Sequence, residues 1–311
     1  MTSKPEPIDE DVIIQSRLIS LNSKYSTYKI NGDKLSSVIF DFNGIASKNR
    51  ETLYHTIAIQ SAEITASYYN VNSGNNTFRI ERNTLYYSIA VPEGNYNANT
   101  FITAFLNAYS TTITGSAAEM TFNANTGKFL FADDDYDITI TGTGTNGAKI
   151  FGLISGTNAV FRTGQTTNDS APRIANFLGI TKIKVNSNAL AGDNFDSAAL
   201  NTTTLIDTIS ATSIPFGLTI FNSLGRESFI KAKKIDEIDI QLLDQDNEFI
   251  DFNGIDWTLT IILNTHRRQH FTKDIGIIIH DKYVATQEAM IKPDSLKKEL
   301  EEVEFIDDDL I

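Results

Sequence analysis

From about Lys34 onward the chain is a succession of short apolar-alternating runs separated by Asn, Gly, Thr and Ser. Alternation with a period of two predicts half-buried strands. In 36–43 it puts Val38, Phe40 and Phe42 on one side, and in 55–64 it puts His55, Ile57 and Ile59 on one face. Phe78 and Ile80, followed by Leu85, Tyr87, Ile89 and Val91, form a pair broken at Arg82-Asn83. Residues 121–131 predict a hairpin, because Asn125-Thr126-Gly127 separates two apolar arms. Further strands are expected at 137–141, 205–209, 218–221, 235–243 and 257–263. Roughly ten strands bounded by turn residues predict an all-β fold of two packed antiparallel sheets, a sandwich or jelly roll.

Helical spacing is rarer. Between Asn97 and Tyr109 apolar residues recur at 101, 102, 105, 106 and 109, a stripe with the helical period that opens on Asn97 as an N-cap. Lys149–Leu153 and Ile174–Leu178 are expected to be single helical turns, and 286–304 a polar helix interrupted by Pro293. Residues 143–173, rich in Gly, Thr, Asn and Ser, read as a long surface loop or a small insertion. Residues 1–33 read as an N-terminal arm. Pro5 and Pro7 sit among acids there, and Ile13, Ile14, Leu18, Ile19 and Leu21 are too few for a core of their own, although Val12–Leu21 also fits helical spacing. The expected organisation is an arm at 1–33, a jelly-roll domain at 34–265, and a C-terminal extension at 266–311. The last 21 residues carry eight acids and three Lys, a net of −5, and mix the acids with Leu300, Val303, Phe305 and Ile306. That segment reads as a solvated tail or as a docking peptide.

Composition removes function classes more readily than it supplies one. Among the 311 residues there is no Cys, so disulfides, thiolate metal sites and Cys nucleophiles are excluded. A formal net charge of −13 argues against a broad nucleic-acid face, which needs clustered Lys and Arg. No apolar run is long enough to span a bilayer, and the polar, acidic start does not read as a signal peptide, so the expectation is a soluble product made inside a cell. His266 and His270 have the only paired histidine spacing, but they follow a strong strand pattern. On a strand, residues four apart lie about 13 Å apart and cannot share one ion. Asp244–Asp251 resembles a calcium loop superficially, yet Phe249 stands where Gly is required and Ile255 where the bidentate Glu belongs, so a polar turn at Asp244–Asn247 is expected. Asp133-Asp134-Asp135 reads as a solvated loop at a strand end. The basic residues Arg267, Arg268, Lys231, Lys233 and Lys234 are local spots that could meet acids on another subunit. No P-loop, nucleophile elbow or dinucleotide fingerprint is present. We therefore expect no enzyme, no catalytic, cofactor-binding or metal-ligating residues, and no cofactor.

The richest stretch is 235–263. Ile238, Ile240 and Leu242 alternate with Glu237, Asp239 and Gln241; later Trp257, Leu259, Ile261 and Leu263 alternate with Asp256, Thr258, Thr260 and Ile262. The reading is a hairpin joined through Asp244–Asn247, a bulge at Asn253-Gly254 with Gly at positive φ, and the sole Trp anchoring the core. The segment LLDQDNEFIDFNGIDWTLTIIL resembles the last strands of single jelly-roll capsid proteins of virophages, polinton-like viruses and large double-stranded DNA viruses. IAIQSAEITASYYNV at 57–71 is similar to an early segment of that family, with Thr65-Ala66 in place of its usual Pro-Asn. A third match is the order of VPEGNYNANTFITAFLNAY followed by FNANTGKFLF. The resemblance covers about 34–265.

The resemblance implies a penton or related minor capsid protein: a homopentamer closing the five-fold vertices of an icosahedral capsid, beside a double jelly-roll major capsid protein and other minor capsid proteins. It would sit at capsid vertices of a virion assembled inside the host cell, with no nucleic-acid partner and no membrane span. The alternative is a receptor- or glycan-binding jelly roll in a spike or fibre base, in which exposed Tyr68, Tyr69 and Tyr96 stack on sugars.

Overall fold

The computed structural model describes residues 8–47, 54–163, 170–190, 194–196, 201–212, 214–223, 227–230 and 234–271. In chain order the strands are β1 (Ile8–Asn22), β2 (Tyr28–Lys29), β3 (Ser37–Ser47), β4 (Tyr54–Thr65), β5 (Thr77–Arg82) and β6 (Leu85–Ala90). After helix α1 (Ala98–Thr112) come β7 (Ala118–Asn123), β8 (Lys128–Asp133) and β9 (Ile138–Ile140), then α2 (Ala148–Phe151) and β10 (Ala159–Phe161). The rest are β11 (Lys182–Asn186), β12 (Asn194–Asp196), β13 (Asn201–Thr203), β14 (Leu205–Ser210), β15 (Leu218–Asn222), β16 (Ser228–Ile230), β17 (Lys234–Leu243) and β18 (Thr258–Phe271).

Two five-stranded sheets define the architecture. One has the order β1-β18-β4-β15, with β16 also pairing β4; the other has the order β14-β11-β17-β3-β2. Numbered along the chain, β1, β3, β4, β11, β14, β15, β17 and β18 are eight principal strands. The first sheet then takes the first, eighth, third and sixth, and the second sheet takes the second, seventh, fourth and fifth. Two interleaved Greek keys of this kind make an all-β jelly roll. Tertiary contacts divide the chain into two compact units: 1–17, 48–56 and 263–311 form one, and 18–47 with 57–262 form the other. Each is described on its own below.

In the larger unit the dry face of β17 is Ile235, Ile238, Ile240 and Leu242, and β3 contributes Val38 and Phe40 beside it. Trp257 is buried with Leu259 and Ile261. Its ring meets Phe40 edge-on at 6.4 Å, and its Nε1–H donates to the Leu35 carbonyl at 2.8 Å. A buried indole needs such a partner, and here one residue both packs the core and pins a loop of the other sheet.

The expected β17–β18 hairpin is not formed, because the two strands belong to different sheets. Alternation tells which residues of a strand are dry but not which sheet the strand joins. The 14-residue connection 244–257 carries the chain across, burying Ile250 and Phe252 on the way. Asn253 (φ 50°) and Gly254 (φ 74°) form a turn rather than a bulge, and Gly254 N–H donates to the Asp33 carbonyl. Residues 8–22, expected within an arm, form β1. Leu21 is buried, and Ser23 donates to Asp256 and accepts from the Trp257 N–H. A short apolar run that cannot make its own core can still complete a sheet edge.

Between β4 and β11 the chain builds a second packed body within this unit. The sheet β10-β9-β5-β6 and the hairpin β7-β8 close around α1. Phe78, Phe101, Phe105, Phe129, Phe131, Phe151 and Phe161 are all buried there, with edge-to-face contacts such as Phe78–Phe105 at 5.3 Å. The expected helix is present as α1, opened by a capping box between Asn97 and Thr100. The β5–β6 turn has both Asn83 and Thr84 at positive φ, the geometry a tight hairpin needs. Residues 143–173 are not a plain loop in their described part, since they supply α2 and β10 and bury Ile150, Phe151 and Phe161. The expected turn of helix at Ile174–Leu178 is absent. That segment is irregular and tied by Ala175 N–H to Gly127 O and by Asn176 N–H to Lys149 O. The helix expected at 286–304, the tail at 291–311, Lys231 and Lys233 lie outside the described residues.

Candidate interaction surface

The residues with chemical potential are placed as structural parts. In the smaller unit His55 and His266 are buried in β4 and β18. His55 Nδ1 lies 3.1 Å from Thr265 Oγ1, and His266 Nε2 lies 3.0 Å from Thr56 Oγ1, with the His266 ring stacked on Tyr54 at 4.4 Å. His266 and His270 lie on one strand, the geometry expected from the sequence. Asp244 caps its own turn: Oδ1 accepts from the N–H of Asp246 and of Glu248, and Asp246 pairs with Lys149 at 3.0 Å. The turn and its ion pair account for these acids as local structure.

Asp133 departs from expectation. It is fully buried rather than solvated. Arg82 grips it in a fork, Nε to Oδ2 at 3.1 Å and a terminal nitrogen to Oδ1 at 3.0 Å. Tyr109 donates at 2.8 Å, Ser116 donates as well, and the N–H groups of Asp135 and Tyr136 reach Oδ1. Burial alone would raise this carboxyl group, but these donors more than offset it and bring it down to about 2. Burial pushes the Tyr109 hydroxyl well above its ordinary value. The group ties β8 and α1 to the β5–β6 hairpin. No sequence signal separated it from a solvated acidic run, because the partners Arg82, Tyr109 and Ser116 come from three other places.

Of the tyrosines named for the glycan-binding alternative, Tyr68 and Tyr96 are not free platforms. Tyr68 is buried, its hydroxyl donates to Thr212 O at 3.2 Å, and burial pushes it up to about 12. Tyr96 is half-buried and bonds Pro92 O.

What the surface does present is apolar. In the larger unit β15 lies at the end of its sheet order, paired to β4 with Leu218 opposite Thr65 and Ile220 opposite Glu63. The alternation that buries Thr219 turns Leu218 (53% exposed) and Ile220 (64%) outward, and the preceding turn adds Ile214 (67%) and Phe216 (69%). Phe216 has φ 60°, a left-handed conformation costly for a bulky side chain, held by its N–H to Ala66 O and by Gly217 N–H to Ile214 O. Four large apolar side chains within seven residues at a sheet edge exceed the scattered exposure normal on a soluble surface. An edge strand so furnished is a template for another chain unless it is covered. Sequence reading found the strand at 218–221 but not its facing, since an alternation of Leu218 and Ile220 with Thr219 and Phe221 carries no sign of which side is wet.

No family model matches the chain, and no curated protein matches it. Among solved structures it is similar to the mavirus penton protein, at 11% identity over 81% of this chain and 99% of that one, TM-score 0.47. It is similar to a chain in the cryo-EM structure of the Sputnik virophage, at 14% identity over 84% and 98%, TM-score 0.34. VP17, a capsid protein of bacteriophage P23-77, matches at 7% identity over 83% and 99%, TM-score 0.20. Among the described residues no helix is long and apolar enough to cross a membrane.

Proposed function

We propose that this chain is a structural virion protein, a penton capsomer whose copies form a ring at the five-fold vertices of an icosahedral capsid, beside the major capsid protein. The observation that carries the reading is the apolar edge at Ile214, Phe216, Leu218 and Ile220, which a monomer has no reason to leave wet. The jelly-roll strand order and the three sequence segments resembling capsid proteins support it. A cyclic ring joins two different faces of each subunit, so the edge at β15 should meet a face other than itself. The apolar residues already displaced from solvent by tertiary packing do not serve this purpose, while these four, more than half exposed, should cost little in the fold if replaced. The test uses full-length protein and labelled particles. Native mass spectrometry should give a monomer or weak pentamer, and an antibody to the protein should decorate particle vertices. A stable dimer or trimer as the dominant species, or label spread over the capsid faces, would refute the reading. Phe216→Ser with Ile220→Ser should keep the melting temperature within a few degrees and lower incorporation into particles; unchanged incorporation would count against this edge as the contact.

A further inference from the structure

A second surface of the larger unit differs in character from the edge at β15. Between Lys24 and Lys34 nearly every side chain is exposed. Tyr25 (74% exposed), Tyr28 (58%) and Ile30 (63%) stand between Lys24, Lys29 and Lys34. Within 24–34 the three lysines are accompanied by one acid, Asp33, a local net of +2 in a chain of −13, and Lys34 also lines a cleft with Glu248 and Asp251. Among the described residues none of the three lysines makes an ion pair with a carboxylate; Lys24 Nζ lies instead 5.7 Å from the centre of the Tyr25 ring. Asp41, the nearest acid on the adjoining strand, accepts from the N–H of Asn43. The patch lies at a sheet edge, because β2 ends the order β14-β11-β17-β3-β2 and, among the described residues, pairs with β3 alone. The backbone beneath it is firmly held: Thr27 N–H reaches Ile39 O, Ile30 N–H reaches Ser37 O, and Asn31 bonds both Ser36 and the Ser37 N–H. The side chains are therefore displayed on a fixed base.

The chain carries a segment with the opposite composition. Glu299–Asp309 contains seven acids and no base, interleaved with Leu300, Val303, Phe305 and Ile306. Acids alternating with apolar residues match lysines alternating with aromatic and aliphatic ones in both charge and hydropathy. The 27 residues between Phe271 and Glu299 can span up to about 90 Å when extended, so the segment can reach another molecule.

We infer that the patch at Lys24–Lys34 is the docking site for residues 299–309 of a neighbouring copy, which lays its apolar side chains on Tyr25, Tyr28 and Ile30 and its carboxylates against the three lysines. The inference rests on the reading of the chain as a self-assembling coat subunit, and it gives that assembly a second, salt-sensitive contact.

The experiment places a photo-crosslinking amino acid at Phe305 in the full chain and mixes isotopically heavy and light protein under assembling conditions. The expected product is a crosslink from 305 to a peptide within 24–34, with one partner heavy and the other light. Lys24→Glu, Lys29→Glu and Lys34→Glu together should cut its yield roughly tenfold, as should high salt. Glu301→Lys, Glu302→Lys and Glu304→Lys on the other side should restore it. Circular dichroism of each variant checks that it folds. Crosslinks that fall elsewhere, that stay within one copy, or that survive the lysine reversal in a folded variant would overturn the inference. Vertex labelling of particles is read separately, so failure of the docking contact and failure of the capsid assignment give different results.

Discussion

Replacing Asp133 by Asn tests whether a buried carboxylate, rather than the aromatic cluster alone, holds the module between β4 and β11 together. Six donors converge on Asp133, and Arg82, only 12% exposed at its side chain, lies over the Tyr136 ring at 4.4 Å. The amide would keep the shape, lose the charge and turn an N–H group toward donors. Arg82 would retain Asp135 at 3.2 Å as a half-exposed partner. Breaking a buried pair costs about 3–5 kcal/mol, and with Asp135 still present the lower end, about 3 kcal/mol, is expected. The pH dependence gives an independent handle. The carboxyl group stands at about 2 in the folded chain against 3.8 ordinarily, a difference worth on the order of 2 kcal/mol. Because the folded value is the lower one, this stability is fully present above pH 4 and disappears as pH falls through 2. Urea denaturation followed by circular dichroism, with wild type and Asp133→Asn compared at pH 7, 5, 4, 3 and 2.5, reads both quantities. The gap between the two proteins should be wide at pH 5 and narrow progressively below pH 4. A gap under about 1 kcal/mol at pH 7, or one that stays constant down to pH 2.5, would refute the reasoning.

Trp257→Ala should cost about 3–5 kcal/mol, seen as a sharp fall in melting temperature of the isolated protein, while Thr258→Ser and Thr260→Ser on the other face should leave it nearly unchanged. Gly147→Ala should destabilise by about 1–3 kcal/mol, since an added methyl would sit 2.2 Å from the Phe78 ring; denaturation with unchanged slope but lower midpoint is the expected record. Deleting residues 1–17 should leave the larger unit folded, whereas deleting 1–33 should not, because the second cut removes Leu21 and Ser23; equal thermal stability of the two truncations would show that residues 18–33 are dispensable.

The sequence made some of this legible because the relevant physics is local. Alternation located β3, β4, β15 and β17, Asn-Thr-Gly marked the β7–β8 hairpin, and the stripe 101, 102, 105, 106, 109 with its Asn cap marked α1. The facts that depend on long-range pairing were not legible. Whether β17 and β18 share a sheet depends on where 250–257 runs, and whether Asp133 is wet depends on Arg82, Tyr109 and Ser116 meeting it. The module between β4 and β11 did leave a trace in composition, since nine of the 19 phenylalanines fall between residues 67 and 180. A second core was the physical meaning of that concentration. The exposed apolar edge at 214–220 was invisible for a different reason: an exposed apolar residue and a core residue have the same chemistry, and only the fold tells them apart.

The neck of that module has a consequence of its own. Asn70 sits where the chain leaves β4, and its amide donates to Tyr96 O at 2.7 Å and to Phe177 O at 3.0 Å, while its Oδ1 receives the Tyr96 N–H. One side chain thus fastens together the outgoing strand, the approach to α1 and the return toward β11. A body with its own core, joined to its host through this stitched collar and the Lys149–Asp246 ion pair, behaves as a head on a fixed mount. Evolution can vary its outer strands without retuning the sheets beneath. An engineer can treat the collar the same way, cutting above Asn70 and Phe177 and setting a different cargo on the jelly roll.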